Sequence, residues 1–241
     1  MSLTLVIPTY NESENLPILL DKVFGVFRES GIDGGVIIVD DNSPDETWKI
    51  AEGLKGEYGR LEVLRRLNER GLSSAVLDGF RMSKSSILGV MDADLSHPPE
   101  KIPDLAGPII RGEADIVIGS RYIDSGKIGD WSFRRKISSK LATLAAKGLT
   151  NVKDPMSGFF LLKREVIENI ELNPKGFKIA LEILVKGKYD KVAEVPIFFQ
   201  DRIYGETKLS SGVILDYLLQ ALRLYIYKIF MPRRKAEKNY K

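Results

Sequence analysis

Four short apolar runs punctuate the N-terminal part of the chain, and each stops at a polar turn. They cover residues 3–7, 36–39, 61–64 and 87–91. Each run is too short for a helix and is read as a buried strand. Between them the apolar residues change period. Leu16, Leu19, Leu20, Val23, Phe24 and Phe27 recur at helical spacing after the first run. Trp48, Ile50, Ala51 and Leu54 follow the second, and Ala75, Val76, Leu77 and Phe80 follow the third. The order is therefore β-α-β-α-β-α-β, with connections long enough for crossover helices, which predicts a Rossmann-like, mostly parallel sheet with flanking helices. In such sheets ligands bind beyond the carboxyl ends of the strands, so the chemistry is sought in the turns that end the four runs.

The fourth turn is the richest. Val90-Met91-Asp92-Ala93-Asp94-Leu95-Ser96-His97-Pro98-Pro99 puts two carboxylates two residues apart at a strand end. Hard oxygen ligands suit Mg²⁺ or Mn²⁺, which keep waters and share their remaining positions with substrate phosphates. The same spacing also fits a solvated turn, so its neighbours decide. The first turn, Thr9-Tyr10-Asn11-Glu12-Ser13-Glu14-Asn15, is a polar loop with Ser13 as the expected N-cap of the following helix. The second, Asp40-Asp41-Asn42-Ser43-Pro44-Asp45, has two readings. Its carboxylates accept hydrogen bonds from a ribose or base edge, or Asp41 or Ser43 caps the next helix. There is no G-x-G-x-x-G and no Walker A sequence, which sets aside the usual dinucleotide and P-loop designs.

Composition narrows the alternatives. The 241 residues are 44% hydrophobic and 29% charged with a net charge of +3, so they can bury a sizeable core and set up no strong field for polyanions such as nucleic acid. The absence of cysteine excludes a disulfide framework and thiolate metal sites and fits a cytosolic location. The single histidine, His97, excludes zinc sites built on several histidines. The first residues lack the basic segment of a signal peptide, and no apolar run reaches the roughly 18 residues of a spanning helix.

Beyond the fourth turn a short helix is expected over residues 100–110 and a fifth strand over 115–119, leading to Ser120-Arg121-Tyr122. Cations then cluster with aromatics: Arg121, Lys127, Arg134, Arg135, Lys136 and Lys140 with Trp131 and Phe133. Such a stretch suits phosphate, lipid headgroups or nucleic acid, or serves as a solvated helix face. Asp154-Pro155-Met156-Ser157-Gly158 is a turn feeding an apolar strand, residues 176–186 read as a helix, and 191–199 as one strand. The polar loop 200–209 carries Arg202 and Lys208 and could close over a diphosphate. Residues 211–241 form a second unit after a catalytic domain of residues 1–210: an amphipathic helix over 213–231, then Pro232-Arg233-Arg234-Lys235. An interfacial helix with a basic tail suits a membrane surface, and the other reading is a helix packed on the domain or on a partner.

Taken together, three motifs carry a resemblance. Val6-Ile7-Pro8-Thr9-Tyr10-Asn11-Glu12, Val39-Asp40-Asp41-Asn42-Ser43-Pro44-Asp45 and Met91-Asp92-Ala93-Asp94-Leu95-Ser96-His97-Pro98-Pro99 resemble the motifs of family-two glycosyltransferases with the GT-A fold. Within that family, Gly119-Ser120-Arg121-Tyr122, Asp154-Pro155-Met156-Ser157-Gly158-Phe159-Phe160 and Arg202-Ile203-Tyr204-Gly205-Glu206-Thr207-Lys208-Leu209 are similar to dolichyl-phosphate mannose synthases. The resemblance implies inverting mannose transfer from GDP-mannose to dolichyl or another polyprenyl phosphate, peripherally at the cytosolic membrane face. It implies that Pro8, Tyr10, Glu12 and Asp40 hold the guanosine part, with Asp92 or Ala93 near the ribose. Asp92 and Asp94 would hold the divalent ion, with Ser96 as a third contact where many relatives have Gln. Arg202 and Lys208 would contact the donor diphosphate, and Arg121, Arg135 and Ser139 the lipid phosphate. The competing expectations are another donor, such as UDP-glucose, on a polyprenyl phosphate, and a non-catalytic nucleotide-sugar-binding subunit. A membrane partner subunit is compatible with either.

Overall fold

The computed structural model describes residues 1–129, 146–172, 178–200 and 211–231, and the side chains of residue 128 and residues 211–215 are left aside. The strands are β1 (Leu3–Thr9), β2 (Gly34–Asp40), β3 (Leu61–Arg65), β4 (Ile87–Val90), β5 (Ile116–Ser120), β6 (Lys127–Ile128), β7 (Phe160–Lys163), β8 (Val192–Pro196) and β9 (Phe198–Phe199). The helices are α1 (Asn15–Ser30), α2 (Thr47–Leu54), α3 (Leu72–Met82), α4 (Ile102–Ile110), α5 (Ile179–Lys186) and α6 (Ser211–Phe230). Seven strands form the main sheet in the order β3-β2-β1-β4-β7-β5-β8. All its pairings are parallel except those of β7, which runs against both β4 and β5. The order reverses between β1 and β4, which is where such a sheet opens a crevice at its carboxyl edge.

Strand alternation builds the two faces. Leu5 and Ile7 of β1, Val36 and Ile38 of β2 and Leu161 of β7 join one core cluster, under α1 and α4. Their neighbours Val6, Ile37, Val39, Phe160 and Leu162 join the other, under α3 and α5. Because both faces are buried, the strands read as unbroken apolar runs, and a one-residue slip would exchange the two cores. The stripe Leu16, Leu19, Leu20, Val23, Phe24 and Phe27 of α1 is entirely buried, and the helix stops at Gly31, whose φ of 66° is the left-handed conformation glycine adopts freely.

Three local expectations are corrected. Ser13 does not cap α1: the N-cap position falls on Glu14, with no side-chain bond, and the first turn is instead held by Glu12, whose Oε2 accepts from Asn15 Nδ2 at 2.7 Å. Neither Asp41 nor Ser43 caps α2. The N-cap position falls on Glu46, with no side-chain bond; Asp45, one residue earlier, accepts at Oδ1 from the Thr47 amide (3.1 Å) and hydroxyl (2.6 Å), and although desolvation raises its pKa, the bonds from Thr47 and Ser13 hold its carboxyl below the usual carboxylate range. The single strand expected over 191–199 is broken. β8 pairs with β5 in the main sheet, whereas β9 pairs with β6 in a separate two-stranded sheet. Pro196 sits at the break, and lacking an N–H it cannot continue the ladder.

The C-terminal helix has two apolar faces. Tyr217, Ala221 and Leu224 are buried with Leu149, Met156, Leu181 and Val185 in a third, smaller cluster. Leu218, Leu219, Leu222, Ile226, Ile229 and Phe230 are exposed. Among the described residues no helix is long and apolar enough to cross a membrane.

Candidate active site

At the carboxyl edge of the sheet the turns after β1, β2, β4 and β5 stand side by side. The two acidic turns that look alike in the sequence have opposite states. After β2, Asp40 is fully buried. Its Oδ2 accepts from the hydroxyls of Thr9 (2.8 Å) and Ser43 (2.6 Å), and its Oδ1 from the Ser43 amide (2.8 Å). Asp41 is gripped by Arg66, whose Nε donates to Oδ1 at 2.7 Å and whose Nη2 approaches the same oxygen, while the Gly71 amide donates to Oδ2 at 2.8 Å. Arg66 is itself buried and also reaches Ser74, Asp78 and the Gly71 carbonyl. This assembly ties the β1 turn to the β2 turn: the Asn11 amide donates to Ser43 Oγ and the Glu12 amide to Thr47 Oγ1. Pro8, Tyr10 and Glu12 are thereby held in one ridge, with the Arg70 guanidinium 5.1 Å from the Tyr10 ring centre. Beside the ridge lies a cavity of about 370 Å³ lined by Asn42, Ser43, Pro44, Glu46, Trp48, Arg65 and Arg70.

After β4 the carboxylates are arranged differently. Asp94 is buried, and its Oδ1 accepts from the Ser96 hydroxyl at 2.5 Å and the Ser96 amide at 3.1 Å. Ser96, fully buried, therefore stands behind Asp94 and orients it. Leu95 between them adopts a left-handed φ of 60°, uncommon for a branched residue, and this bend lets Ser96 turn back on Asp94. Asp92 keeps a 29% exposed side chain. Its amide donates to His97 Nδ1 at 3.3 Å, and Ala93 is buried beside it. His97 is packed between Phe159 and Phe199, ring centres 5.5 and 5.2 Å away. Burial pushes its pKa below the usual value despite the nearby Asp92 and Asp94 charges. It is thus a neutral imidazole that accepts at Nδ1 and carries its proton on Nε2.

Arg121, directly after β5, forms a two-pronged pair with Asp154: Nε to Oδ2 and Nη2 to Oδ1, both 2.7 Å, with the Arg121 amide also donating to Oδ2 at 2.9 Å. Burial alone would lower the Arg121 pKa, but the hydrogen bonds and charge of Asp154 more than offset it and hold the guanidinium above its ordinary value. Asp154 is fully buried, and its turn is tied down from below by Glu194, which accepts from the amides of Lys153 and Asp154. Gly158 closes the same turn against Asp92: a Cβ there would lie 2.7 Å from Asp92 Oδ2.

The structure thus brings Pro8, Tyr10, Glu12, Asp40, Asp92, Ala93, Asp94, Ser96 and Arg121 to one edge of the sheet. Arg135, Ser139, Arg202 and Lys208 lie outside the described residues. Arg66, the buttressing role of His97, and Gly158 carried no chemical signal of their own in the sequence. His97 was visible there only as the lone histidine, and Gly158 only as a turn glycine.

The profile of glycosyl transferase family 2 matches residues 4–171. The chain belongs to that family. Its fold is the GT-A arrangement, a seven-stranded, mostly parallel sheet flanked by helices. A dolichol-phosphate mannosyltransferase of Pyrococcus furiosus is 47% identical over 228 residues, covering 93% of this chain and 64% of the relative. The chain therefore spans just under two thirds of that relative's length. A dolichol-phosphate mannosyltransferase of Saccharomyces cerevisiae is 39% identical over 235 residues, covering 93% of this chain and 87% of the relative. Among solved structures, a glucosyl-3-phosphoglycerate synthase of Mycobacterium tuberculosis, in complex with Mn²⁺, UDP-glucose and phosphoglyceric acid, superposes with a TM-score of 0.66 at 20% identity, over 91% of this chain and 79% of that one. At that identity the likeness is one of fold.

Proposed function

We propose that this family 2 member transfers mannose from GDP-mannose to dolichyl or another polyprenyl phosphate, with inversion at the anomeric carbon, and that it uses Mg²⁺ or Mn²⁺. The observation that carries the reading is the pairing, at one strand edge, of an oriented acidic pair (Asp92, Asp94) with a buried, preorganised guanidinium (Arg121 on Asp154). The names of the relatives supply the sugar and the acceptor.

The donor set fits a hard divalent cation: two carboxylates, one partly exposed, in a chain without cysteine and beside a histidine whose pKa is pushed down. Asp92 and Asp94 would hold it, and Ser96 fixes the direction in which Asp94 presents its oxygens. A cation bound there supplies charge neutralisation to a leaving diphosphate. The ridge of Pro8, Tyr10 and Glu12, stiffened from beneath by Asp40, forms the nucleoside side. Asp40 itself has its oxygens engaged by Thr9 and Ser43, so it acts on the nucleoside by setting the turn. In the reaction the anomeric C–O bond to the diphosphate breaks, a new bond forms to an oxygen of the lipid phosphate, and GDP departs. A phosphate monoester with a second pKa of about 6 is already largely ionised at neutral pH, so no general base is needed. Arg121 then orients the acceptor, since a guanidinium already held by Asp154 loses little freedom on binding. In this reading Arg135 and Ser139 complete the acceptor phosphate site, and Arg202 and Lys208 close on the donor diphosphate.

The exposed face of α6 supports docking on a membrane surface. Leu218, Leu222, Ile226 and Ile229 lie along it while the opposite face is anchored in the domain, so the helix presents its free side without unfolding. The cytosolic face is the side on which a nucleotide sugar would be met.

The test is a transfer assay on the full chain with Mg²⁺ or Mn²⁺ and dolichyl phosphate in detergent. Radiolabelled GDP-mannose and UDP-glucose are offered in parallel, and label is counted in the organic phase. Label from GDP-mannose alone is expected. Label from UDP-glucose would replace the donor, and label from neither, with donor binding intact, would leave a nucleotide-sugar-binding subunit.

A further inference from the structure

Among the described residues four charged side chains touch the turn of residues 154–158, and one has not been given a task. Glu194 ties the turn down from the Asp154 amide. Asp154 holds Arg121, and Gly158 makes room for Asp92. The fourth is Lys178, the residue before α5, whose Nζ donates to the Met156 carbonyl at 3.3 Å. Its main-chain carbonyl is held from the other side by Nε2 of Gln220 on α6, at 3.2 Å. Gln220 is buried, so Lys178 is fixed between the reactive edge and the C-terminal helix.

What distinguishes Lys178 from Arg121 is that no described carboxylate is in contact with it. Arg121 is neutralised by a two-pronged carboxylate. Among the described residues no carboxylate lies within 4.0 Å of the Lys178 ammonium, and of its three N–H donors one is engaged, by a neutral carbonyl. Yet it lies within electrostatic reach of Arg121, Asp92 and Asp154. Burial pushes its pKa below the usual value, Arg121 adds to that, and the two aspartates oppose it. Lys178 is partly buried, and a cation held partly out of water is normally paired with an opposite charge.

We propose that Lys178 is a further phosphate-contacting residue of this site, placed so that a substrate phosphate oxygen becomes its counter-charge. The inference rests on the glycosyl-transfer reading above and adds a residue to it. The ligand chemistry is a phosphate oxygen of either the donor diphosphate or the lipid phosphate. Met156 and Gln220 serve as positioning groups, one on each side of the residue.

The test separates these sources. Lys178→Gln keeps a donor for the Met156 carbonyl and removes the charge, and Lys178→Arg keeps the charge. For each variant we would measure the dissociation constant for GDP-mannose with Mg²⁺, and the KM and kcat for dolichyl phosphate, at matched thermal stability. A rise of about 10- to 100-fold in acceptor KM with donor affinity unchanged assigns Lys178 to the lipid phosphate. A similar rise in the donor constant assigns it to the diphosphate. Recovery with Lys178→Arg in the affected constant separates a charge role from a merely structural one. A Lys178→Gln variant that folds, with both constants at the wild-type level, overturns the proposal. A second measurement avoids the variants: reductive methylation of Lys178 in the wild-type chain, followed by mass spectrometry, with farnesyl phosphate and with GDP and Mg²⁺ separately. Protection by one ligand is expected, and protection by neither overturns the proposal. If the wild type transfers no sugar, the function reading fails by that control, while the methylation result still decides Lys178.

Discussion

The aspartates that end β2 and those that end β4 are the same chemical group in similar turns, yet they have opposite fates. Asp40 and Asp41 are saturated from within: three hydroxyl and amide donors on one, an arginine and a glycine amide on the other. Asp92 and Asp94 are held by other means. A serine braces one, and a neutral imidazole holds the backbone of the other. The difference lies in the next shell. Arg66 pairs with Asp41 after β2, whereas Arg121, after β5, pairs with Asp154.

That contrast can be broken by changing either pair. The largest effect on activity is expected at β4. Asp94→Ala or Asp92→Ala should lower kcat/KM for sugar transfer by about 10²- to 10³-fold or more. The melting temperature should stay close to wild type. Transfer that survives Asp94→Ala would remove the metal site from the mechanism. At β2 the effect should appear as stability. Arg66→Met leaves Asp41 buried without its cation and is expected to cost about 3–5 kcal/mol, measured by denaturant unfolding. A variant as stable as wild type would mean the pair is dispensable.

Smaller changes sharpen the comparison. Gly158→Ala places a methyl against the Asp92 carboxylate, so it should displace that side chain and reduce kcat by about tenfold, with unfolding little changed. An unchanged kcat would show that the Asp92 position is not critical. Ser96→Ala removes the brace on Asp94 while leaving its charge, and should cost about 1 kcal/mol in transition-state stabilisation, read as a several-fold fall in kcat/KM together with weaker Mn²⁺ activation. A fall as large as that of Asp94→Ala would mean that Ser96 does more than orient its neighbour.

The layered α/β fold could be read from the chain because two periods alternate cleanly: unbroken apolar strands, then the stripe of Leu16, Leu19, Leu20, Val23 and Phe27. What could not be read was direction and continuity. Phe160–Lys163 is apolar whichever way it runs, so nothing local announced an antiparallel strand between β4 and β5. Residues 191–199 read as one strand in the sequence, and the switch of sheets after Pro196 shows only in the pairings. At the site, the residue types at the strand ends were legible, while their states were not. Asp41 and Asp92 are alike in sequence because Arg66 and Gly158, which set them apart, come from distant segments with no chemical signature. Lys178 was hidden for the same reason, since its meaning depends on a carbonyl 22 residues away and on no described carboxylate being in contact with it.

The reversed direction of β7 has a consequence for where things arrive. In a parallel sheet every strand delivers its exit to the reactive edge and its entrance to the opposite one. A strand laid head to tail delivers its entrance there instead. The turn of residues 154–158, which precedes β7, therefore lands beside the exits of β4 and β5, bringing Asp154 to Arg121 and Gly158 to Asp92. Turned round, the same four residues of β7 would set that approach at the far edge, about 13 Å away at ~3.3 Å per residue. One inverted strand thus acts as a delivery route from the second half of the chain into a crevice otherwise built by the first.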